Sequence, residues 1–129
     1  MALSSRSTIL YGYQVTENNR SIDFKGAVTD MTPRLATLRL GFYSLTSLMT
    51  EIVRAMTEVD ATRVYTVTAN RSIAGGTQNR ITISSSGTFF QILFATGPRA
   101  ASSVATLIGF VPVDKTGATT YTGNSSTGI

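Results

Sequence analysis

The stretch Ser44-Leu45-Thr46-Ser47-Leu48-Met49-Thr50-Glu51-Ile52-Val53-Arg54-Ala55-Met56-Thr57-Glu58-Val59 decides the class of fold. Leu45, Leu48, Met49, Ile52, Ala55, Met56 and Val59 recur at i, i+3, i+4 and i+7, the spacing that lines one face of a 3.6-residue helix. Glu51, Arg54 and Glu58 fall on the other side. The spacing predicts one amphipathic helix over residues 44–59 with an apolar face to bury. Ser44 is placed to cap it, because its hydroxyl can accept from a first-turn N–H that has no partner inside the helix. Glu51 and Arg54 can pair across one turn, and Glu51 and Glu58 read as solvated surface charge.

Outward from the helix, the pattern changes from helical to alternating. Upstream, Ala36, Leu38, Leu40 and Phe42 alternate with Leu35, Thr37, Arg39 and Gly41, so one strand over residues 35–43 should lead straight into the helix. Downstream, Arg63-Val64-Tyr65-Thr66-Val67-Thr68 is rich in β-branched and aromatic residues, which suit a pleated sheet. A polar loop over residues 69–79, containing Gly75-Gly76, should join it to a strand over residues 80–84 as a hairpin. The run from Phe89 to Phe94 is the most apolar in the chain: Phe90, Ile92 and Phe94 share one face, Phe89, Gln91 and Leu93 the other. This strand belongs well inside a sheet, with both faces largely covered.

Towards the N-terminus, residues 9–15 and 21–24 both alternate. Glu17-Asn18-Asn19-Arg20 between them carries turn chemistry, which predicts a second hairpin. Pro33 lies in a connector over residues 26–34, since proline cannot donate to a ladder. Towards the C-terminus, Ser102 or Ser103 could cap a short helix through Leu107 that stops at Gly109. Asp114-Lys115-Thr116-Gly117 reads as a turn and residues 118–122 as a last short strand. The expected fold is α+β and mainly β: an antiparallel sheet or sandwich packed by one amphipathic helix, with a short second helix in the C-terminal third. At 129 residues the chain suits one domain over residues 9–122, with a flexible arm over 1–8 and a loose tail over 123–129.

Composition narrows the chemistry. There is no cysteine and no histidine, which removes disulfides, zinc sites of the usual ligand types, thiol nucleophiles and imidazole acid–base chemistry. The seven acids, Glu17, Asp23, Asp30, Glu51, Glu58, Asp60 and Asp114, show no spacing that marks a catalytic pair, so no enzyme and no cofactor are expected. Eleven Lys and Arg give a net charge of +4, but scattered along the chain with no basic run. Nucleic acid is therefore not an expected partner. No apolar stretch approaches a bilayer span, and the N-terminus carries no signal-like run, so no membrane is expected either.

Gly75-Gly76-Thr77-Gln78-Asn79-Arg80 and Gly97-Pro98-Arg99 lack the strand, turn, lysine and helix order of a phosphate loop and read as flexible surface turns. Asn70-Arg71-Ser72 and Asn124-Ser125-Ser126 match the glycosylation tripeptide, with no secretory signal to give it meaning. The aromatics, five Tyr and six Phe, belong by default to the core, with Tyr121 near the tail as the exception. The candidate contact residues are Arg71, Gly75, Gly76, Gln78, Arg99 and Tyr121.

Several segments together resemble a known domain. They are Asn18-Asn19, Ile22-Asp23-Phe24, Ala36-Thr37-Leu38, Gly41-Phe42-Tyr43-Ser44 entering the helix, Tyr65-Thr66-Val67-Thr68, Arg80-Ile81-Thr82-Ile83, Gly87-Thr88-Phe89, Leu107-Ile108-Gly109-Phe110 and Asp114-Lys115-Thr116-Gly117-Ala118-Thr119-Thr120-Tyr121. In this order around one helix, over residues 13–123, they resemble a small β-rich domain that recurs in virion structural proteins of tailed bacteriophages, in tails, baseplates, fibres or decoration proteins. The resemblance implies a virion subunit assembled in the host cytoplasm, most simply in the tail, baseplate or connector. That domain is often one part of a longer protein, whereas here the pattern fills the chain, which implies a stand-alone subunit present in copies. Its partners would be itself and other virion proteins. A capsid decoration protein and a receptor- or carbohydrate-binding module are the alternatives.

Overall fold

The computed structural model describes residues 13–70 and 80–124. In chain order the elements are β1 (Tyr13–Val15), β2 (Ser21–Lys25), β3 (Arg34–Thr37), β4 (Gly41–Tyr43), α1 (Leu45–Val59), β5 (Tyr65–Asn70), β6 (Arg80–Ser85), β7 (Phe90–Ile92), a 3-10 turn (Ala100–Ser102), β8 (Lys115–Ala118) and β9 (Thr120–Thr122). All strand pairings are antiparallel: one sheet runs β3-β2-β7-β8, a second β5-β6-β9, and β1 and β4 form a two-stranded ribbon. The fold is α+β and mainly β, as the periodicities predict.

The two larger sheets are joined through their aromatic side chains. Phe24 of β2 meets Tyr65 of β5 edge-on at 5.4 Å between ring centres, Tyr65 meets Phe90 of β7 at 5.9 Å, and Phe90 meets Tyr121 of β9 at 5.0 Å. Successive rings come from alternate sheets, in the tilted and edge-to-face geometries that the ring quadrupole favours. Ile22, Ile92, Ile81 and Ile83 fill the space beside them without exposure. Each such side chain contributes about 1.5–3 kcal/mol on burial.

α1 packs on β3 of one sheet and on β5 of the other. Leu48, Ile52, Ala55 and Met56 are buried, as the spacing requires. Ser44 caps the helix: its Oγ accepts from Ser47 N at 3.1 Å while Ser47 Oγ accepts from Ser44 N at 2.9 Å, a reciprocal arrangement in which serine takes the usual glutamate position. Met49 is half-exposed because the edge it reaches, with Val53, is a surface groove.

Four sequence expectations are corrected. Of the strand expected over residues 9–15 the described part is β1, and among the described residues it does not form the expected hairpin with β2. Both edges of β2 are taken, by β3 and β7, and β1 pairs with β4 instead, Tyr13 opposite Tyr43. Asn19 still makes the turn: its Oδ1 accepts from Thr16 N at 2.7 Å and its Nδ2 donates to Gln14 O at 3.1 Å. The strand predicted over residues 35–43 is broken into β3 and β4. Arg39 N turns aside to donate to Glu51 Oε2 at 2.8 Å, and Gly41 adopts φ 154°, which L side chains rarely tolerate. The alternation is lost there, so Ala36 and Leu38 are buried while Leu40 and Phe42 are exposed.

The second helix is absent between Ser103 and Leu107. Ser103 is held extended by a parallel bridge to Ser21, with Val104 N donating to Ser21 O at 3.0 Å, so the only helical turn there precedes it. The turns that follow do close at Gly109, at φ 85°. The last segment is two strands. Lys115-Thr116-Gly117, expected as a turn, belong to β8, which pairs with β7, whereas β9 pairs with β6. Thr119 alone carries the chain from one sheet to the other. The hairpin of β5 and β6, by contrast, forms as read, from Tyr65 opposite Ser85 to Asn70 opposite Arg80, and β7 is an interior strand.

Ile52 sits at the centre of the helix's buried face with no exposure. Ile52→Asp is expected to unfold the domain, since a buried unpaired charge costs roughly several kcal/mol, more than half of a typical domain's stability. Loss of the near-ultraviolet circular dichroism of the native protein would show it, and a cooperative thermal transition near that of the native chain would contradict the face assignment.

Candidate functional site

Of the candidate contact residues, Arg71, Gly75, Gly76 and Gln78 lie outside the described residues, as do the arm over 1–8 and the tail from 125. Arg99 and Tyr121 are both described: Arg99 is half-buried and tied to the interior, and Tyr121 is buried. Arg99 binds the buried carboxylate of Asp23 through its backbone N at 2.6 Å and Nε at 2.9 Å. Its guanidinium also donates to Thr37 Oγ1 at 2.7 Å and to Ala36 O at 2.8 Å. The Gly97-Pro98-Arg99 turn is therefore pinned across β2 and β3. Gly97 is required for the approach, because a Cβ there would lie 2.6 Å from that of Asp23.

Tyr121 is a correction. It is 7% exposed and belongs to the core, and its hydroxyl donates to Phe90 O and accepts from Ala118 N at 3.1 Å. The reason is register. Pairing opposite Ile83 points the ring between the sheets and leaves Thr120 and Thr122 outside.

Several acids serve the same stitching role, while Glu58 is exposed as expected. Glu51 is 7% exposed rather than a solvated surface charge. Its carboxylate takes Arg54 Nε at 2.8 Å and Arg54 Nη2 at 2.6 Å as well as Arg39 N, while Arg54 also reaches Thr37 O at 3.1 Å and Glu58 at 2.6 Å. Burial alone would raise its pKa, but the bonds from Arg54 and Arg39 outweigh it and the carboxyl titrates below its ordinary range. Asp114 likewise accepts from Ala95 N at 2.8 Å and Thr96 N at 3.0 Å, and these bonds with that of the Thr96 hydroxyl overcome desolvation to lower its pKa.

Asp60, beyond the last turn of α1, is the most enclosed. It receives Thr62 Oγ1 at 2.6 Å, Tyr65 OH at 2.7 Å and Arg63 Nη1 at 3.0 Å, with Arg34 Nε at 3.8 Å. Arg34 in turn binds Asp30 at 3.2 Å and the helix-end carbonyl of Val59 at 2.8 Å. Desolvation pushes the Asp60 carboxyl up, but the donors from Thr62, Tyr65 and Arg63 and the charge of Arg34 hold it at about 2. The Tyr65 hydroxyl is pushed well above its usual value, first by burial and then by its bond to Asp60.

Beside exposed charges such as Glu17, Arg39 and Glu58, the described surface carries apolar grooves and a hydroxyl face. Val28, 54% exposed, and Phe89, 55% exposed, line one groove with Gly87, Thr88 and Thr119, of about 430 Å³. The sequence placed Phe89 on a covered face; β7 starts one residue later, and Phe89 is left more than half exposed. A second groove of about 360 Å³ lies between α1 and β5, lined by Thr46, Met49, Thr50, Val53 and Val67. The outer face of β5-β6-β9 carries hydroxyls in register: Thr66, Ser84 and Thr120 in one row, Thr68, Thr82 and Thr122 in the next. Ser84 and Thr120 meet at 3.1 Å and Thr82 and Thr122 at 2.9 Å. Among the described residues no three acids cluster as a metal-binding group, and no helix is long and apolar enough to cross a membrane.

The Asp60 cluster sets an acid limit on stability. Its carboxyl has a folded pKa of about 2 against an ordinary 3.8, so the stabilisation is complete above the ordinary value and is lost as pH falls through the folded one. Unfolding free energies from denaturant titrations are expected to be flat above about pH 5 and to drop by about 2 kcal/mol between pH 4 and pH 2. Tyr65→Phe removes one donor, costs about 1 kcal/mol at pH 7 and weakens that pH dependence. An unchanged acid profile would mean that Tyr65 does not help hold the charge. Glu51→Ala should cost about 1–3 kcal/mol by leaving Arg39 N and Arg54 without their acceptor, read by the same titration.

Searches against models of known protein families and against curated proteins return no match to this chain.

Proposed function

We propose that the protein is a structural component of a tailed-bacteriophage virion, most simply a tail, baseplate or connector subunit that works through symmetric self-association and contacts with neighbouring virion proteins. The observation that carries the phage assignment is the ordered set of segments around one helix, from Asn18-Asn19 to the Asp114–Tyr121 run, that resembles the virion domain. The geometry supports an assembly role: Asp23, Asp30, Glu51, Asp60 and Asp114 are committed to internal bonds, while Val28, Phe42, Val64 and Phe89 stand exposed. Scattered exposed apolar residues are ordinary, but two that share one groove are the chemistry of a contact surface.

The test is to separate heads from tails in disrupted particles and identify the chain in each by peptide mass spectrometry. Enrichment with tails is the expected result. Enrichment with heads would replace it with a capsid decoration role, and absence from particles would overturn the reading.

A further inference from the structure

We infer that the groove at Phe89 is a binding site for a neutral polysaccharide, with Phe89 as the platform for a sugar ring and Thr88 and Thr119 as partners for its hydroxyls. This is a ligand that the virion assignment does not supply, and the two stand or fall separately.

Strand register builds the site. Phe90 pairs with Ala118, which sets Phe89 and Thr119 side by side just beyond the ends of β7 and β8. Phe90 is turned into the core, so Phe89 faces out, 55% exposed. Val28 stands across from them in the connector after β2, which is fastened where Asp30 accepts from Gly26 N at 2.9 Å and from Arg34 Nε at 3.2 Å. Ser85 N donates to Thr119 O at 2.9 Å, and Gly87 lies so close to Arg63 that a Cβ there would sit 2.9 Å from its Nε. The walls are thus held in place before any ligand arrives, and the volume of about 430 Å³ is that of a small-molecule site.

The lining selects the ligand. Phe89 and Val28 offer apolar surface, Thr88 and Thr119 offer hydroxyls that have no partner among the described residues, and no charged side chain lines the groove. Arg63, behind Gly87, is spent on Asp60 at 3.0 Å. An apolar side chain from another protein would cover Phe89 but strand the two hydroxyls, which costs more than it gains. A nucleobase could stack on the ring, but its phosphates would need cations that the groove lacks. A sugar meets both requirements: its C–H face, slightly positive, lies on the negative face of the phenyl ring, while the hydroxyls at its edge bond to threonine. One residue past Thr119, Thr120 joins Ser84 and Thr66 in an uncharged row, exposed at Thr66 and Thr120, which gives a longer chain further hydroxyls to bond.

The test is affinity electrophoresis of the full-length protein through native gels containing dextran, laminarin, mannan or galactan, which reads binding as retardation. At least one of these should retard the native chain. Phe89→Ala, at a side chain more than half exposed, should keep the native circular dichroism and bind the same polysaccharide about tenfold more weakly, whereas Phe89→Trp should retain binding. Thr88→Val, which keeps the shape and removes the hydroxyl, should weaken it severalfold. No retardation by any of the polysaccharides, or retardation that Phe89→Ala leaves unchanged, would overturn the site. Retardation only by dextran sulfate or single-stranded DNA, abolished by salt, would overturn it in favour of a polyanion. Either result leaves virion incorporation to be judged by its own experiment.

Discussion

The structure depends on four aromatic rings that interleave two sheets. Phe24 and Phe90 come from one sheet, Tyr65 and Tyr121 from the other, and each ring is the packing surface for the next. Two of the four are tyrosines whose hydroxyls must be satisfied in the interior, and each is bonded to a group that fixes a neighbouring element: Asp60 beyond the end of α1 for Tyr65, the β7 backbone for Tyr121. The hydrophobic and polar parts of the core are thus one arrangement. Removing a ring would leave its partners facing a void, and moving one would break a buried hydrogen bond.

The charged residues extend that logic outward. A chain without cysteine has no disulfides, and here its long connections are fastened by carboxylates that accept from backbone N–H groups and arginines. Asp23 holds residues 97–99, Asp114 holds residues 95–96, Glu51 holds the bend at Arg39, and Asp30 holds the connector before β3. Arginine suits this because its planar fork reaches several acceptors at once, as Arg99 does across β2 and β3.

Local periodicity carried the elements well and their partners poorly. The helix, its cap at Ser44, the β5–β6 hairpin and the interior position of β7 were all legible, because each is set by neighbours in sequence or by a run of apolar residues. The pairing of β1 with β4, the break at Arg39 and the extended Ser103 were not, because each is decided by a group far along the chain. Among the candidate contact residues, Arg99 and Tyr121 were chosen for their position near glycine or the tail. An arginine paired with a distant buried aspartate looks the same in sequence as an unpaired one, and the inward register of Tyr121 is set by Ile83. The grooves at Phe89 and at Met49 were invisible for a related reason: periodicity assigns a face, whereas exposure depends on what the rest of the chain lays over it.

The passage of the chain through Thr119 orders the folding reaction in time. β8 completes one sheet and β9 the other, and the last of the four rings arrives with Tyr121. Neither sheet has its full set of strands, nor the layer between them its final ring, until residues 115–122 have been made and docked. During synthesis the earlier segments must therefore wait with Phe90 and Ile83 uncovered on that side, and closure is dominated by contacts distant in sequence, which fold slowly. A domain of this design closes only when residues 115–122 are in place, so the strands that are last in sequence order are the ones that lock both sheets at once.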